Sequence, residues 1–132
     1  MTVFVDTSAI LALVDADDKN HRHAGAAWKR LDSDEARLLT SNYVMLETLL
    51  VAQRRLGMEA VRAVAQDIAP LFDLVFVDEA VHQAAVNTML AAGRRQLSVV
   101  DCSSFELMRR HGVRHAYAYD PHFTEQGFTL ER

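Results

Sequence analysis

Apolar and polar residues fall into alternating blocks along this chain. Thr2-Val3-Phe4-Val5-Asp6 is a short, unbroken apolar run closed by an acid, the pattern of a parallel strand buried on both faces. Further β-rich runs lie near 36–40, 73–77, 114–119 and 127–131. Longer stretches with helical spacing separate them, near 7–15, 21–32, 42–56, 58–69, 79–93 and 99–111. In one of these, Leu46, Leu49, Leu50 and Gln53 recur at helical intervals. Gly57 and Gly112 each follow a helical pattern and read as its stop. Strands alternating with helices predict an α/β fold, a single domain over 1–132 with a central, mostly parallel five-stranded sheet flanked by helices. The segments 42–56 and 58–69 are joined too closely to admit a strand, and so predict a helical hairpin.

An open parallel sheet binds ligands beyond the carboxyl ends of its strands. Asp6 and Asp120 each close a predicted strand at that edge, which directs attention to acids that local structure explains poorly. Glu47 is the hardest to explain, because its helical neighbours at three and four positions are Tyr43, Val44, Leu50 and Val51. A carboxylate among them costs several kcal/mol, roughly, unless paired or metal-bound. Partial exposure with a salt bridge to Arg54 is the alternative, although Arg54 is two helical turns, roughly 10 Å, away. Asp101 has a local explanation, since Ser98-Val-Val-Asp101 fits a capping box. That role leaves oxygens to spare. Asp6-Thr7-Ser8 also suits a helix start, and Asp120-Pro121 a turn. Asp78 is the control: it follows a strand and precedes a helix, yet capping and the helix dipole account for it fully.

If Asp6, Glu47, Asp101 and Asp120 meet, each pair at about 4 Å repels by roughly 4 kcal/mol at an effective dielectric near 20. A divalent cation is the natural remedy. An oxygen-rich set suits Mg²⁺ or Mn²⁺ rather than zinc, and metals so held commonly handle phosphate. His21, His23, His115 and His122 show no zinc spacing and read as loop, turn or solvent-facing residues outside the ligand set. Neither GxGxxG nor GxxxxGK[ST] occurs, so no nucleotide cofactor is expected. Among the arginine pairs, Arg94 and Arg95 precede the Asp101 segment and are the candidates for touching a substrate phosphate.

Composition narrows the classes. The formal net charge of −4 is offset once the four acids are set aside, so a polyanionic substrate is compatible with the remainder. A single cysteine, Cys102, excludes an internal disulfide, suggests a packed thiol rather than a nucleophile, and points to a reducing cytoplasm. No apolar stretch is long enough to span a membrane, and Asp6 and Asp15 interrupt any signal-peptide core.

The ordered set Val5-Asp6-Thr7-Ser8-Ala9, Glu47 within Thr40–Thr48, Leu97-Ser98-Val-Val-Asp101-Cys102 and Tyr119-Asp120-Pro-His-Phe123 resembles the PIN-domain family. More narrowly it resembles the VapC-type toxins of type II toxin–antitoxin systems, over essentially the whole chain. The resemblance implies an endoribonuclease dependent on Mg²⁺ or Mn²⁺, leaving 5′-phosphate and 3′-hydroxyl ends. Asp6, Glu47, Asp101 and Asp120 would surround the ion, with Thr7 and Ser8 giving supporting hydrogen bonds. It also implies a cognate antitoxin protein, an RNA substrate and, from the apolar 42–69 hairpin, a homodimer. The family often carries Thr two residues before its last Asp, where this chain has Ala118. That departure keeps alternatives open: an RNA-processing nuclease outside a toxin–antitoxin pair, or a weakly catalytic RNA- or protein-binding module. A phosphohydrolase using Asp6 as nucleophile ranks lower, because Ser8 stands where a second Asp is needed.

Overall fold

A computed structural model describes all of residues 1–132. Five parallel strands form one sheet in the order β3-β2-β1-β4-β5: β1 Thr2–Val5, β2 Arg37–Ser41, β3 Asp73–Val75, β4 His115–Tyr117 and β5 Thr129–Leu130. β1 is central because Val3, Phe4 and Val5 have no polar side chain to expose, and all three are fully buried. Seven helices flank the sheet: α1 Thr7–Val14, α2 His21–Ser33, α3 Asn42–Arg55, α4 Met58–Arg62, α5 Glu79–Ala92, α6 Val99–Arg110 and α7 His122–Glu125. The predicted α/β architecture and every predicted strand are present, with β3, β4 and β5 shorter than expected.

Two local expectations require correction. The predicted helix over 58–69 is regular only through Arg62; a π-helical turn, Ala63–Ile68, and a 3₁₀ turn, Ala69–Leu71, complete the span. Pro70 supplies the reason, since it lacks an N–H and its ring crowds the carbonyl four residues back. The segment after Asp120, expected to be a turn only, continues into the one-turn helix α7. Elsewhere the stop signals hold: Gly57 and Gly112 take φ of +94° and +66°, conformations that favour glycine.

The strand ends are tied to one another by side chains, which fixes the edge where a site can form. Thr40 Oγ1 donates to Val5 O at 2.8 Å, and Val77 N–H donates to Asn42 Oδ1 at 2.7 Å. Ser41 caps α3 by accepting from Val44 N–H at 3.0 Å. On the other side of β1, Asp6 N–H donates to Tyr117 O at 3.1 Å. Tyr117 is itself fully buried, and its hydroxyl donates to Ala24 O at 2.6 Å, fastening α2 over the sheet. Cys102 is buried in α6, and burial pushes its thiol up from the usual range, as expected of a packed, unreactive side chain.

Tyr117→Phe removes that anchor while keeping the ring, and Ala24 O, which lies inside α2, loses its side-chain donor. The expected cost is about 1 kcal/mol with the fold retained. Urea unfolding monitored by far-ultraviolet circular dichroism reads it directly, and an unchanged midpoint would refute the anchoring role.

Candidate metal centre

Each acid arrives at the sheet's C-terminal edge on a different element. Asp6 follows β1 and caps α1. Its Oδ2 accepts from Ser8 N–H at 3.1 Å and from Ser8 Oγ–H at 2.6 Å, leaving Oδ1 uncommitted. Ser8 Oγ in turn accepts from Tyr119 N–H at 2.9 Å, so one hydroxyl ties the Asp6 junction to the segment that carries Asp120. Asp101 forms the capping box expected of it: Ser98 N–H donates to its Oδ2 at 3.0 Å, and Asp101 N–H donates to Ser98 Oγ at 3.1 Å. Asp120 begins the turn into α7, its Oδ1 accepting from His122 N–H at 2.9 Å. Glu47 projects from α3, half-buried, at the rim of an apolar groove of about 350 Å³ lined in part by Tyr43, Leu50, Val99 and Val100.

Mutual repulsion shows that the four carboxylates share one field. The Asp6 carboxyl, 3% exposed, is pushed from its ordinary 3.8 up to about 7. Burial is the first cause, and the charges of Asp101 and Glu47 add to it against the hydrogen bonds from Ser8. Glu47 is raised first by burial and then by Asp101 and Asp120, while the nearby Thr7 hydroxyl partly opposes the rise. That hydroxyl's direct hydrogen bond, at 3.3 Å, is to Val44 O, so its hold on Glu47 is a matter of proximity. Asp101 is raised by burial and by Asp120, with the bonds from Ser98 and the nearness of His122 working the other way. Acids far apart in sequence thus feel one another.

The tightest group contains a residue that sequence reasoning set aside. Asp101, Asp120 and His122 each offer a ligand atom within 4.8 Å of the others, with Asp6 and Glu47 flanking them. His122 is buried rather than solvent-facing, and its Nδ1 has no hydrogen-bond partner. Clustered carboxylates beside an orphaned buried nitrogen are a donor set that fits a divalent cation. The turn-forming Asp120-Pro121 pair hid this, because four helical residues are too few to show a period. The other candidate residues separate cleanly. Asp78 is exposed and accepts from Val81 N–H at 2.9 Å as an ordinary cap. His21 is held by Ala12 O at 2.7 Å, and His115 faces Glu131 at 2.9 Å. Arg94 is engaged with Glu125 at 2.8 Å, whereas Arg95 is exposed and makes no ion pair. Ala118 is fully buried and brings no hydroxyl to the edge; Ser8 and Thr7 are the hydroxyls beside the acids.

A parallel sheet that gathers acids at its carboxyl edge defines a class of metal-handling α/β domain. Residues 3–128 match the PIN domain, and the chain belongs to that family. It is 35% identical over 131 residues to the 23S rRNA-specific endonuclease VapC20 of Mycobacterium tuberculosis, a match covering 98% of each chain in both strain CDC 1551 / Oshkosh and strain ATCC 25618 / H37Rv. The crystal structure of M. tuberculosis VapC20, described as a sarcin–ricin loop cleaving toxin, superposes with a TM-score of 0.82 at 34% identity over 96% of both chains. FitAcB from Neisseria gonorrhoeae shares the fold at a TM-score of 0.70 and 17% identity, covering 100% of this chain and 97% of that one.

The raised Asp6 carboxyl makes stability of the metal-free protein depend on pH. With a folded value of about 7 above an ordinary 3.8, the folded state holds the extra proton in between, so stability falls as pH rises through that window. The rise corresponds to about 4 kcal/mol at most from this group. Asp6→Asn can keep the bonds from Ser8 through its carbonyl oxygen and turns an amide toward the other acids. In chelator it should melt higher than the parent at pH 8, and the difference should shrink at pH 5. Thermal melts at both pH values test this; a variant that melts lower at pH 8 would contradict a crowded acidic site.

Proposed function

We propose that this chain is a divalent-metal-dependent endoribonuclease and the toxin member of a toxin–antitoxin pair. The observation that carries the reading is the electrostatic coupling of Asp6, Glu47, Asp101 and Asp120 from four separate elements at one sheet edge. The full-length likeness to VapC20 supplies the substrate class, RNA, and ribosomal RNA as the first substrate to try.

Mg²⁺ or Mn²⁺ bound among these acids would activate water and neutralise charge on the phosphoryl oxygens. The chain's own residues have separable tasks. Asp6 and Asp101 are positioned by bonds to one oxygen each, from Ser8 and Ser98, so the other oxygen is presented at a fixed angle. Glu47 is held by no backbone amide and faces the groove, which suits it to accept the proton of the attacking water. Arg95, exposed and without an ion pair, is the freer of the two candidate arginines to meet a substrate phosphate. Arg94 is held by Glu125, so it contacts RNA only by exchanging that partner.

The antitoxin is proposed to lay an apolar segment into the groove beside Glu47 and to extend a basic side chain toward the carboxylates. A homodimer through the α3–α4 hairpin would use exposed Met58 and share Leu46 and Leu50 with that groove, so the two partners would meet adjoining parts of one apolar surface. No helix is long and apolar enough to cross a membrane, and a cytoplasmic location is proposed with the ribosomal substrate. A small reading frame for a DNA-binding protein beside the gene would support the toxin role, and a solitary gene the RNA-processing alternative.

Purified protein incubated with ribosomal RNA should cut only with Mg²⁺ or Mn²⁺ and stop with chelator. Asp6→Asn and Asp101→Asn should each reduce cleavage by about 100-fold or more while remaining folded. Asp78→Asn should retain activity within about twofold, as an exposed cap far from the acids. Cutting that persists in chelator, or activity lost through Asp78 but not Asp6, would overturn the assignment.

A further inference from the structure

His122 is placed where neither a cap nor a core contact explains it. The residue is 8% exposed, and its Nδ1 lies 3.0 Å from Asp120 Oδ1 and 3.9 Å from Asp101 Oδ2. The first is an ion-pair contact close enough for a hydrogen bond but misdirected, and the second is too long, so the nitrogen has no hydrogen bond. Burying such an atom without an aligned partner is unfavourable, an arrangement that calls for an occupant. The separations indicate what kind. On an octahedral ion with bonds of about 2.1 Å, adjacent ligands stand about 3 Å apart and opposite ligands about 4.2 Å. The observed 3.0 and 3.9 Å fall within that bracket. Both are measured to oxygens that also accept a backbone N–H, from His122 and from Ser98, so an ion there would use the remaining lone pair of each oxygen or the carboxylate's second oxygen.

The direction of the ring is set by its short helix. Phe123, fully buried, packs edge-on against Phe105 with ring centroids 5.0 Å apart, and Glu125 at the other end is clasped by Arg94. A helix pinned at both its core-facing and solvent-facing sides cannot easily rotate His122 away from the acids.

We propose that His122 supplies Nδ1 as a ligand to the divalent ion held by Asp101 and Asp120, and that this nitrogen biases the centre toward Mn²⁺ over Mg²⁺. The proposal rests on the metal-dependent reading above. Mg²⁺ is a hard cation that strongly prefers oxygen, whereas imidazole is a better donor to first-row transition ions. A purely carboxylate centre has no such reason to discriminate. Arg94, through Glu125, then acts as a positioning residue for the ligand-bearing helix rather than as a phosphate contact.

Pulsed electron paramagnetic resonance of the full-length protein loaded with Mn²⁺ tests the ligand directly. The expected spectrum carries ¹⁴N modulation, which disappears when the protein is made with ¹⁵N-histidine and is lost in His122→Gln. Competition titration should show the Gln variant losing Mn²⁺ affinity on the order of tenfold while Mg²⁺ affinity changes much less. The isotope experiment uses the unaltered chain, so it decides whether a histidine is bound even if the variant misfolds, and His122 is the histidine grouped with Asp101 and Asp120. Bound Mn²⁺ without ¹⁴N modulation would overturn the role of His122 and leave the metal-dependent reading standing. A spectrum of free aqueous Mn²⁺ would overturn both. Equal loss of both metals in a folded Gln variant would overturn the Mn²⁺ preference.

Discussion

Repulsion among carboxylates is the constraint around which the rest of this fold is arranged. Asp6 at the end of β1, Glu47 on α3 and Asp101 on α6 hold their protons more tightly than usual, first through burial and then through neighbouring acids, and Asp120 after β4 adds its charge to Glu47 and Asp101. Nothing among the four attracts. They stay together because the sheet and its flanking helices bury a continuous apolar core, centred on Val3, Phe4 and Val5, whose gain exceeds the local penalty. The acidic edge holds unfavourable energy that a bound cation would release, which is what the proposed metal site rests on.

The means of holding the acids in place are ordinary helix caps. Asp6 and Asp101 each use one oxygen as the acceptor that a helix N-terminus requires, and each has another to offer. Capping and the proposed ligation are compatible, because the cap fixes rotamer and direction and leaves lone pairs of each carboxylate unused. Ser8 extends the same economy across strands, donating to Asp6 and accepting from Tyr119 N–H. The hydroxyl expected at the position of Ala118 is absent, and Ser8, in the first turn of α1, is the side chain that couples the two junctions.

Much of the fold was legible because strand burial and helix punctuation are local. Val3-Phe4-Val5 announced a central strand, and Gly57 and Gly112 marked real helix ends. Glu47 was legible for a different reason: an acid among apolar helical neighbours demands an explanation beyond its own helix. His122 was not legible. Its role depends on a one-turn helix after a proline and on the distance between two aspartates that sequence places 19 positions apart. The π-helical turn after α4 was hidden too, since Pro70 announces an interruption without specifying how the preceding turns adjust. Asp6 and Asp78 make the limit plain. Both follow a strand and cap a helix, yet one is buried beside other acids and the other lies in solvent.

That contrast bears on how an acidic edge becomes selective. Electrostatics alone would accept any small divalent cation, since every such ion relieves the same repulsion. Discrimination has to come from a group whose donor properties differ from those of a carboxylate. Of the side chains close to the acids, Ser8, Thr7 and Ser98 are engaged in hydrogen bonds, which leaves the buried nitrogen of His122 as the donor not otherwise employed. Its anchorage through Phe123 and Glu125 links metal choice to the packing of the last helix, well away from the strand that supplies Asp6. Affinity for a cation and preference among cations would then reside in different parts of the chain, and substitutions that repack α7 would alter the second while sparing the first.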